Sequence, residues 1–324
     1  MNMKNRLFDV VTFGEAMAMF IAEQSGPLDR VERFTRRMAG AEANVAIGLS
    51  RLGMRVGWIS KIGNDPFGAY ITRRMNEENV DTNAVMIEED RATGFQLKGR
   101  ADEGKDPVVQ YFRKFTAAST MSVSDFDSGY YLNTRHFHLT GIAPALSESA
   151  YALAEHMLAQ AKAGGITVSF DPNLRPTLWP GQAAMIEGVN RLAVQADWVL
   201  PGLQEGRLLT GYDEPSDIAA WYLSRGANTV CIKLGVEGAY CRTEDLEIKI
   251  PAYPVKHVVD TVGAGDGFAV GFVSAVLEGC SLEEAVRRGA AIGAVVVTSE
   301  GDSEGLPTRT QLEAFMSERG GHLS

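Results

Sequence analysis

Short apolar runs bounded by polar turns alternate with amphipathic stretches along most of the chain, and this alternation predicts its elements. Residues 9–13 are short and mostly apolar, as in a core strand, and close on Gly14-Glu15. Residues 16–22 read as a second extended piece of mixed polarity. Residues 31–38 are polar, alternate weakly and form an excursion from the main pattern. Small residues from Ala39 to Ala46 open a helix that Gly53 stops, a usual helix C-terminus. A strand at 56–60 turns through Gly63–Gly68 into a helix reaching Glu78, with Pro66 in its first turn. A short strand follows at 84–87. Residues 93–99 and 108–113 are short and β-prone, and the charged residues 100–107 between them fit a hairpin.

From Thr134 the pattern becomes strand–helix–strand. Strands are predicted at 135–139, 166–170, 198–200 and 229–233, with helices at 148–163 and 216–224. Gly235 and Gly238 make a turn into Ala239-Tyr240-Cys241. Residues 256–259 read as extended, 268–277 and 282–299 as helices, and 310–318 as a short last helix. The expected architecture is α/β: a mostly parallel sheet with helices on both faces. The pieces at 16–22, 31–38, 93–99 and 108–113 form a small second sheet. Residues 1–318 make one domain, and 319–324 a flexible tail.

Composition narrows the class. A 324-residue chain with 45 % hydrophobic residues can build a large core. Its net charge of -10 argues against broad binding to nucleic acid or an anionic membrane, but not against an anionic small substrate. Cys231, Cys241 and Cys280 are few and widely spaced, with no zinc-type spacing, and read as thiols in a reducing compartment. No long apolar signal core is evident, so a cytoplasmic protein is expected.

The strongest chemical signal is Asp260-Thr261-Val262-Gly263-Ala264-Gly265-Asp266-Gly267-Phe268. Three small residues bare the backbone where the chain turns into a helix, and the first amides of a helix favour an anion. Asp266 then stands beside that anion, as a general base for phosphoryl transfer would. An ordinary capped helix uses the same residue types. Gly40 and Asn44, at another helix start, suit a polyol or tight helix packing. Glu15 follows a strand, and Asp171-Pro172-Asn173-Leu174-Arg175 follows another, where open α/β sheets bind ligands. Arg113, near Tyr111 and Phe112, suits a carboxylate. His136 and His138 read as structural strand residues. Neither a dinucleotide fingerprint nor a GxxxxGK[ST] phosphate loop is present.

Two glycine motifs give the chain a family. Gly40-Ala41-Glu42-Ala43-Asn44-Val45-Ala46 with Gly63-Asn64-Asp65-Pro66-Phe67-Gly68, and the stretch from Asp260 to Phe268, resemble the two signatures of the ribokinase-like (PfkB) carbohydrate kinases. The resemblance covers nearly the whole chain. It implies a large α/β domain with a small β-sheet lid, often a dimer contact, and hence a homodimer through the lid. It implies Asp266 as catalytic base and Gly263, Ala264 and Gly265 as the anion hole. ATP lies near Lys233, Gly235 and Gly238, with Mg²⁺ reached from Glu205 through water. Asp260 and residues 299–301 imply a monovalent-cation site for K⁺, as in several relatives. Where the family usually has Asn, Gly202 stands here.

Within the family, Glu15, Glu42, Tyr111–Lys114, residues 139–146 and 171–175 look like kinases of 2-keto sugar acids, which phosphorylate the terminal C6 hydroxyl. Arg113 and Arg175 are then the anion partners. Gln96 stands where kinases of 2-keto-3-deoxygluconate often have Tyr, and residues 200–211 look more like 2-ketogluconate kinases. The reading therefore favours 2-ketogluconate, whose C3 hydroxyl Gln96 would pair, over the deoxy acid, with fructose third.

Overall fold

The computed structural model describes residues 6–100 and 107–319. The tip of the expected hairpin and the expected tail beyond Arg319 fall outside these. In chain order the strands are β1 (Phe8–Phe13), β2 (Met17–Ala22), β3 (Phe34–Ala39), β4 (Val56–Gly63), β5 (Val85–Glu88), β6 (Phe95–Lys98), β7 (Val109–Phe112), β8 (Thr134–Thr140), β9 (Thr167–Asp171), β10 (Trp198–Val199), β11 (Thr229–Lys233), β12 (Ala239–Arg242) and β13 (Glu247–Ile250). The helices are α1 (Ala41–Arg51), α2 (Pro66–Glu77), α3 (Ser128–Tyr131), α4 (Glu148–Ala163), α5 (Gln182–Ala193), α6 (Leu203–Thr210), α7 (Pro215–Leu223), α8 (Ala264–Leu277), α9 (Leu282–Val296) and α10 (Arg309–Arg319).

Nine strands form one sheet in the order β13-β12-β11-β10-β9-β8-β1-β4-β5. The run from β11 through β5 is parallel, and β12 and β13 close the other edge antiparallel. Parallel strands need helical crossovers, which cover both faces. Along β1 the side chains alternate between two cores. Val10 joins Trp58, Phe268 and Phe272 under α1, α8 and α9. Val11 and Phe13 join Phe137 and Phe170 under α4 and α5. A fully buried residue of this size contributes roughly 1.5–3 kcal/mol over its exposed state. Apolar residues on nearly every side of α8 reflect its position between α1 and α9, buried all round. Cys231 and Cys241 face each other across β11 and β12 as free, buried thiols. Among the described residues no helix is long and apolar enough to cross a membrane.

The second sheet has the order β3-β2-β6-β7 and forms the lid. Its strand β2 follows β1 after three residues, so the lid grows directly out of the carboxyl end of the main sheet.

One expectation is corrected. Residues 256–259 are not a strand; the chain from Pro251 to Gly263 runs as a loop. Val258 and Val259 are β-prone but find no sheet edge and stay exposed. The Val259 amide donates instead to Val297 O, at the end of α9, at 2.8 Å.

Candidate active site

The chain goes from β1 to one side of the sheet and from β8 to the other, although the two strands are neighbours. Such a reversal opens a crevice at the strands' carboxyl ends. Polar residues collect there. Glu15 lies two residues past β1, Thr140 ends β8, Asp171 ends β9 and Lys233 ends β11. The start of α8 faces the same crevice. A cavity of about 460 Å³ results. Glu15, Gly40, Asn44, Gln96, Tyr111 and Arg113 line one side, and Arg175, Glu205, Lys233, Gly263, Gly265 and Asp266 the other. Asp260, Ala264, Gly235 and Gly238 are not in the lining.

Asp266 occupies the first turn of α8 and is 7 % exposed. Asn44 Nδ2 donates to its Oδ2 at 2.8 Å, and Asn173 Nδ2 to its Oδ1 at 3.2 Å. Burial pushes its carboxyl up to about 7, against the Asn44 bond and with help from the charge of Asp171. Such a group takes a proton readily near neutrality. Asn44 Oδ1 is buried and has no partner among the described residues, which leaves an acceptor for a ligand hydroxyl. The sequence offers Asn173 only as part of the polar cluster that follows β9, and that position is the sole hint of this contact.

Gly263 begins α8 at φ +83°, and a Cβ there would stand 2.5 Å from Asp302 O. Only glycine fits the conformation and the space. The Ala264 amide turns toward Thr261 O at 3.4 Å, so Gly263 and Gly265 present the bare backbone to the cavity. Lys233 Nζ lies 3.3 Å from where a Cβ on Gly265 would stand, and bonds Asp171 Oδ2 at 2.6 Å. Burial works against that ammonium, but Asp171 and Glu205 hold it above its ordinary value, so it stays charged beside the bare start of α8. Burial raises Asp171 to about 6 despite the ammonium. Gly235 and Gly238 shape the turn beyond Lys233. A Cβ on Gly238 would stand 2.0 Å from Ile250 O.

Glu205 is the third residue of α6. Its Oε2 accepts the Gly202 amide at 2.7 Å and its Oε1 the Leu174 amide at 2.8 Å. Gly202 is the N-cap and brings no side chain, so this cap is made by Glu205 reaching back. Each oxygen accepts one bond and keeps further acceptor capacity, and Glu205 lines the cavity. Among the described residues no cluster of three metal-ligating side chains converges.

Arg113, expected to be open for a carboxylate, is already paired. Its Nε and Nη2 bond Glu15 Oε2 at 2.8 and 2.6 Å, and Thr116 donates to Glu15 Oε1. Glu15, read as a substrate contact, therefore orients the guanidinium; the Tyr111 ring flanks it at 5.8 Å. Arg175 spends Nη1 on the carbonyls of Asn173 and Leu174 and keeps its other nitrogens. Gln96 is 4 % exposed and makes no side-chain hydrogen bond to a described residue. Asp260 is not an open cation ligand: Lys98 Nζ bonds its Oδ2 at 2.5 Å.

Glu42 lies fully buried behind the cavity. Thr140 donates to its Oε1 at 2.5 Å, while Oε2 has no hydrogen-bond partner among the described residues. Burial raises its carboxyl to about 7. His136 and His138 share Ser169 Oγ at 2.8 Å inside the sheet and are held neutral by burial.

A buried carboxylate beside a bare helix start and a lysine, under a β lid, defines an α/β phosphotransferase. The family model of pfkB family carbohydrate kinases matches residues 7–309, and the chain belongs to that family. It is an enzyme that transfers phosphate to a sugar hydroxyl. It is 50 % identical over 310 residues to the 2-dehydro-3-deoxygluconokinase of Bacillus subtilis (strain 168), covering 95 % of each chain. The structure of a PfkB protein from Polaromonas sp. JS666 superposes with a TM-score of 0.88 at 48 % identity, covering 95 % of this chain and 99 % of that one. A fructokinase double mutant from Vibrio cholerae O395, with fructose, ADP and a potassium ion bound, superposes with a TM-score of 0.83 at 25 % identity, covering 96 % and 99 %.

Proposed function

We propose that the chain transfers the γ-phosphoryl group of ATP to the C6 hydroxyl of a 2-keto sugar acid, with 2-dehydro-3-deoxygluconate, the 2-keto-3-deoxy acid, as the acceptor. One observation carries this reading. A single cavity joins a base and an anion hole, at Asp266, Gly263 and Gly265, to two arginines, Arg113 and Arg175. A neutral sugar needs no such cations. The preference for 2-ketogluconate drawn from Gln96 and residues 200–211 gives way, because the half-identical Bacillus relative is named for the deoxy acid. The unpaired Gln96 amide in the lining keeps 2-ketogluconate as the second reading.

Asp266 takes the proton of the C6 hydroxyl as its oxygen attacks the γ-phosphorus. The bond from that phosphorus to the β-bridging oxygen breaks, and ADP leaves with the electron pair. Gly263 and Gly265 amides and the Lys233 ammonium stabilise charge on the transferring group. Arg113, held by Glu15, and Arg175 orient the substrate carboxylate. Asn44 aligns Asp266 and accepts from a sugar hydroxyl. Gln96, Tyr111 and Arg113 come from or follow lid strands, so the lid excludes water that would compete for the phosphoryl group. Glu205 and Asp171 face the cavity with oxygen lone pairs, a donor set that suits Mg²⁺ kept partly hydrated. When bound, that ion neutralises phosphate charge.

A coupled ADP-release assay with ATP and Mg²⁺ tests the assignment. It compares 2-keto-3-deoxygluconate, 2-ketogluconate and fructose below saturation. The highest kcat/KM belongs to the deoxy acid. Preference for 2-ketogluconate transfers the assignment to the second reading, and turnover of fructose alone overturns the role of both arginines.

A further inference from the structure

Lys98 takes no part in the chemistry above, yet it ties the lid to the catalytic loop. It ends β6 and is 3 % exposed. Its ammonium bonds Asp260 Oδ2 at 2.5 Å and Asp302 Oδ1 at 3.3 Å. Both carboxylates are 8 % exposed at the side chain. They stand on the two segments that shape the anion hole. Asp260 Oδ1 accepts the Val262 amide at 3.1 Å, just before Gly263. Asp302 O is the atom a Cβ on Gly263 would meet, at 2.5 Å. Two buried carboxylates converging on one point need a cation between them, because an unpaired buried charge is strongly disfavoured. Arg175 acts on Asp302 but forms no ion pair with it.

The family resemblance places a potassium ion at Asp260, and the Vibrio fructokinase holds one. The residues of this chain do not fit that expectation, because Asp260 already takes the Lys98 ammonium at Oδ2 and the Val262 amide at Oδ1. We infer that Lys98 is the built-in monovalent cation of the catalytic loop, so that this enzyme needs no potassium. The inference rests on the phosphotransferase reading but not on which sugar is the acceptor. An ion from solution would neutralise the loop whatever the lid did. A lysine on β6 neutralises it from the lid, which links the shape of the anion hole to the lid's position.

The experiment compares the full chain in potassium chloride, ammonium chloride and tetramethylammonium chloride at equal ionic strength. ADP release and the melting temperature are both read. Wild type is expected to keep its kcat to within about twofold and its Tm to within about 1 °C in all three salts, as a protein without a linked ion does. Lys98→Ala opens room for an ion. In tetramethylammonium it is expected to lose roughly tenfold or more in kcat/KM and several degrees in Tm, and to recover most of both in potassium or ammonium. Lys98→Met fills the same space without charge and is not rescued. A wild type that loses about tenfold in kcat, or several degrees in Tm, without potassium overturns the inference. So does a Lys98→Ala protein indifferent to the salt. Should neither variant fold, the wild-type comparison decides alone. Should no sugar be turned over, the Tm series decides without any catalysis, which separates failure of this inference from failure of the substrate assignment.

Discussion

Asp266 carries its chemistry through its surroundings. With its carboxyl pushed up to about 7, the ionised form of Asp266, the proposed base, is depleted about tenfold for each pH unit below that value. The kcat/KM profile is therefore expected to fall with unit slope below about pH 7. Asp266→Asn is expected to lose about 10²–10⁴ in kcat with its fold intact, measured by ADP release alongside circular dichroism. Glu42 gives the matching prediction for stability. Its folded value of about 7 lies above the ordinary 4.5, so its contribution is fully present below 4.5 and lost as pH rises through 7. Glu42→Gln keeps the shape and the bond from Thr140. It is expected to match wild type near pH 4.5 and to exceed it by about 3 kcal/mol at pH 8, read from urea unfolding at both values. Arg113→Ala is expected to raise KM for a sugar acid far more than for fructose. It also strands the buried Glu15, so a fall in Tm accompanies it. Equal effects on both sugars would remove Arg113 from carboxylate binding.

At the scale of the element, α8 both presents the site and packs the core. Gly271 lies against α9, where a Cβ would meet Arg288 O at 2.5 Å. Gly271→Ala is expected to push the two helices apart at a cost of about 1–3 kcal/mol, and to slow turnover by shifting the helix that carries Asp266. Thermal melting and ADP release check the two effects separately. Helix α4 was legible to the residue, because Ser147 caps it, its apolar side is regular and Gly164-Gly165 stops it. Helix α5 was not read. It has no side-chain cap, and Gly188 interrupts it where the Trp179 ring packs. Residues 256–259 misled in the opposite sense. Their β-branched valines signal a strand, but strand formation needs a partner edge, and none lies within reach.

At the scale of the molecule, the lid joins the site to the outside. Its cavity side supplies Gln96, Tyr111 and Arg113, and Lys98 anchors it to the catalytic loop. Val108, Phe112 and Phe115 stay exposed, with Phe112 stacked on Phe95 at 4.4 Å. We propose that a second copy of the chain covers these apolar side chains. Sedimentation is expected to show a dimer, and Phe112→Asp a monomer that keeps its far-UV spectrum; a monomeric wild type would end the proposal.

The sequence alone carried most of the strands and helices, the small second sheet and Asp266 as the candidate base. Each depends on local information: the period of apolar positions, the residues that stop a helix, and a glycine motif whose backbone chemistry acts within a few neighbours. Tertiary structure decided which charges meet. Lys98 reaches Asp260 and Asp302 across 162 and 204 residues of chain, and Arg113 reaches Glu15 across 98. No spacing encodes these pairs. Burial decided the rest, because the energy of a carboxylate depends on how much water its fold removes. Asp266 and Glu42, ordinary acids in the sequence, become groups that titrate near neutrality only inside this sheet.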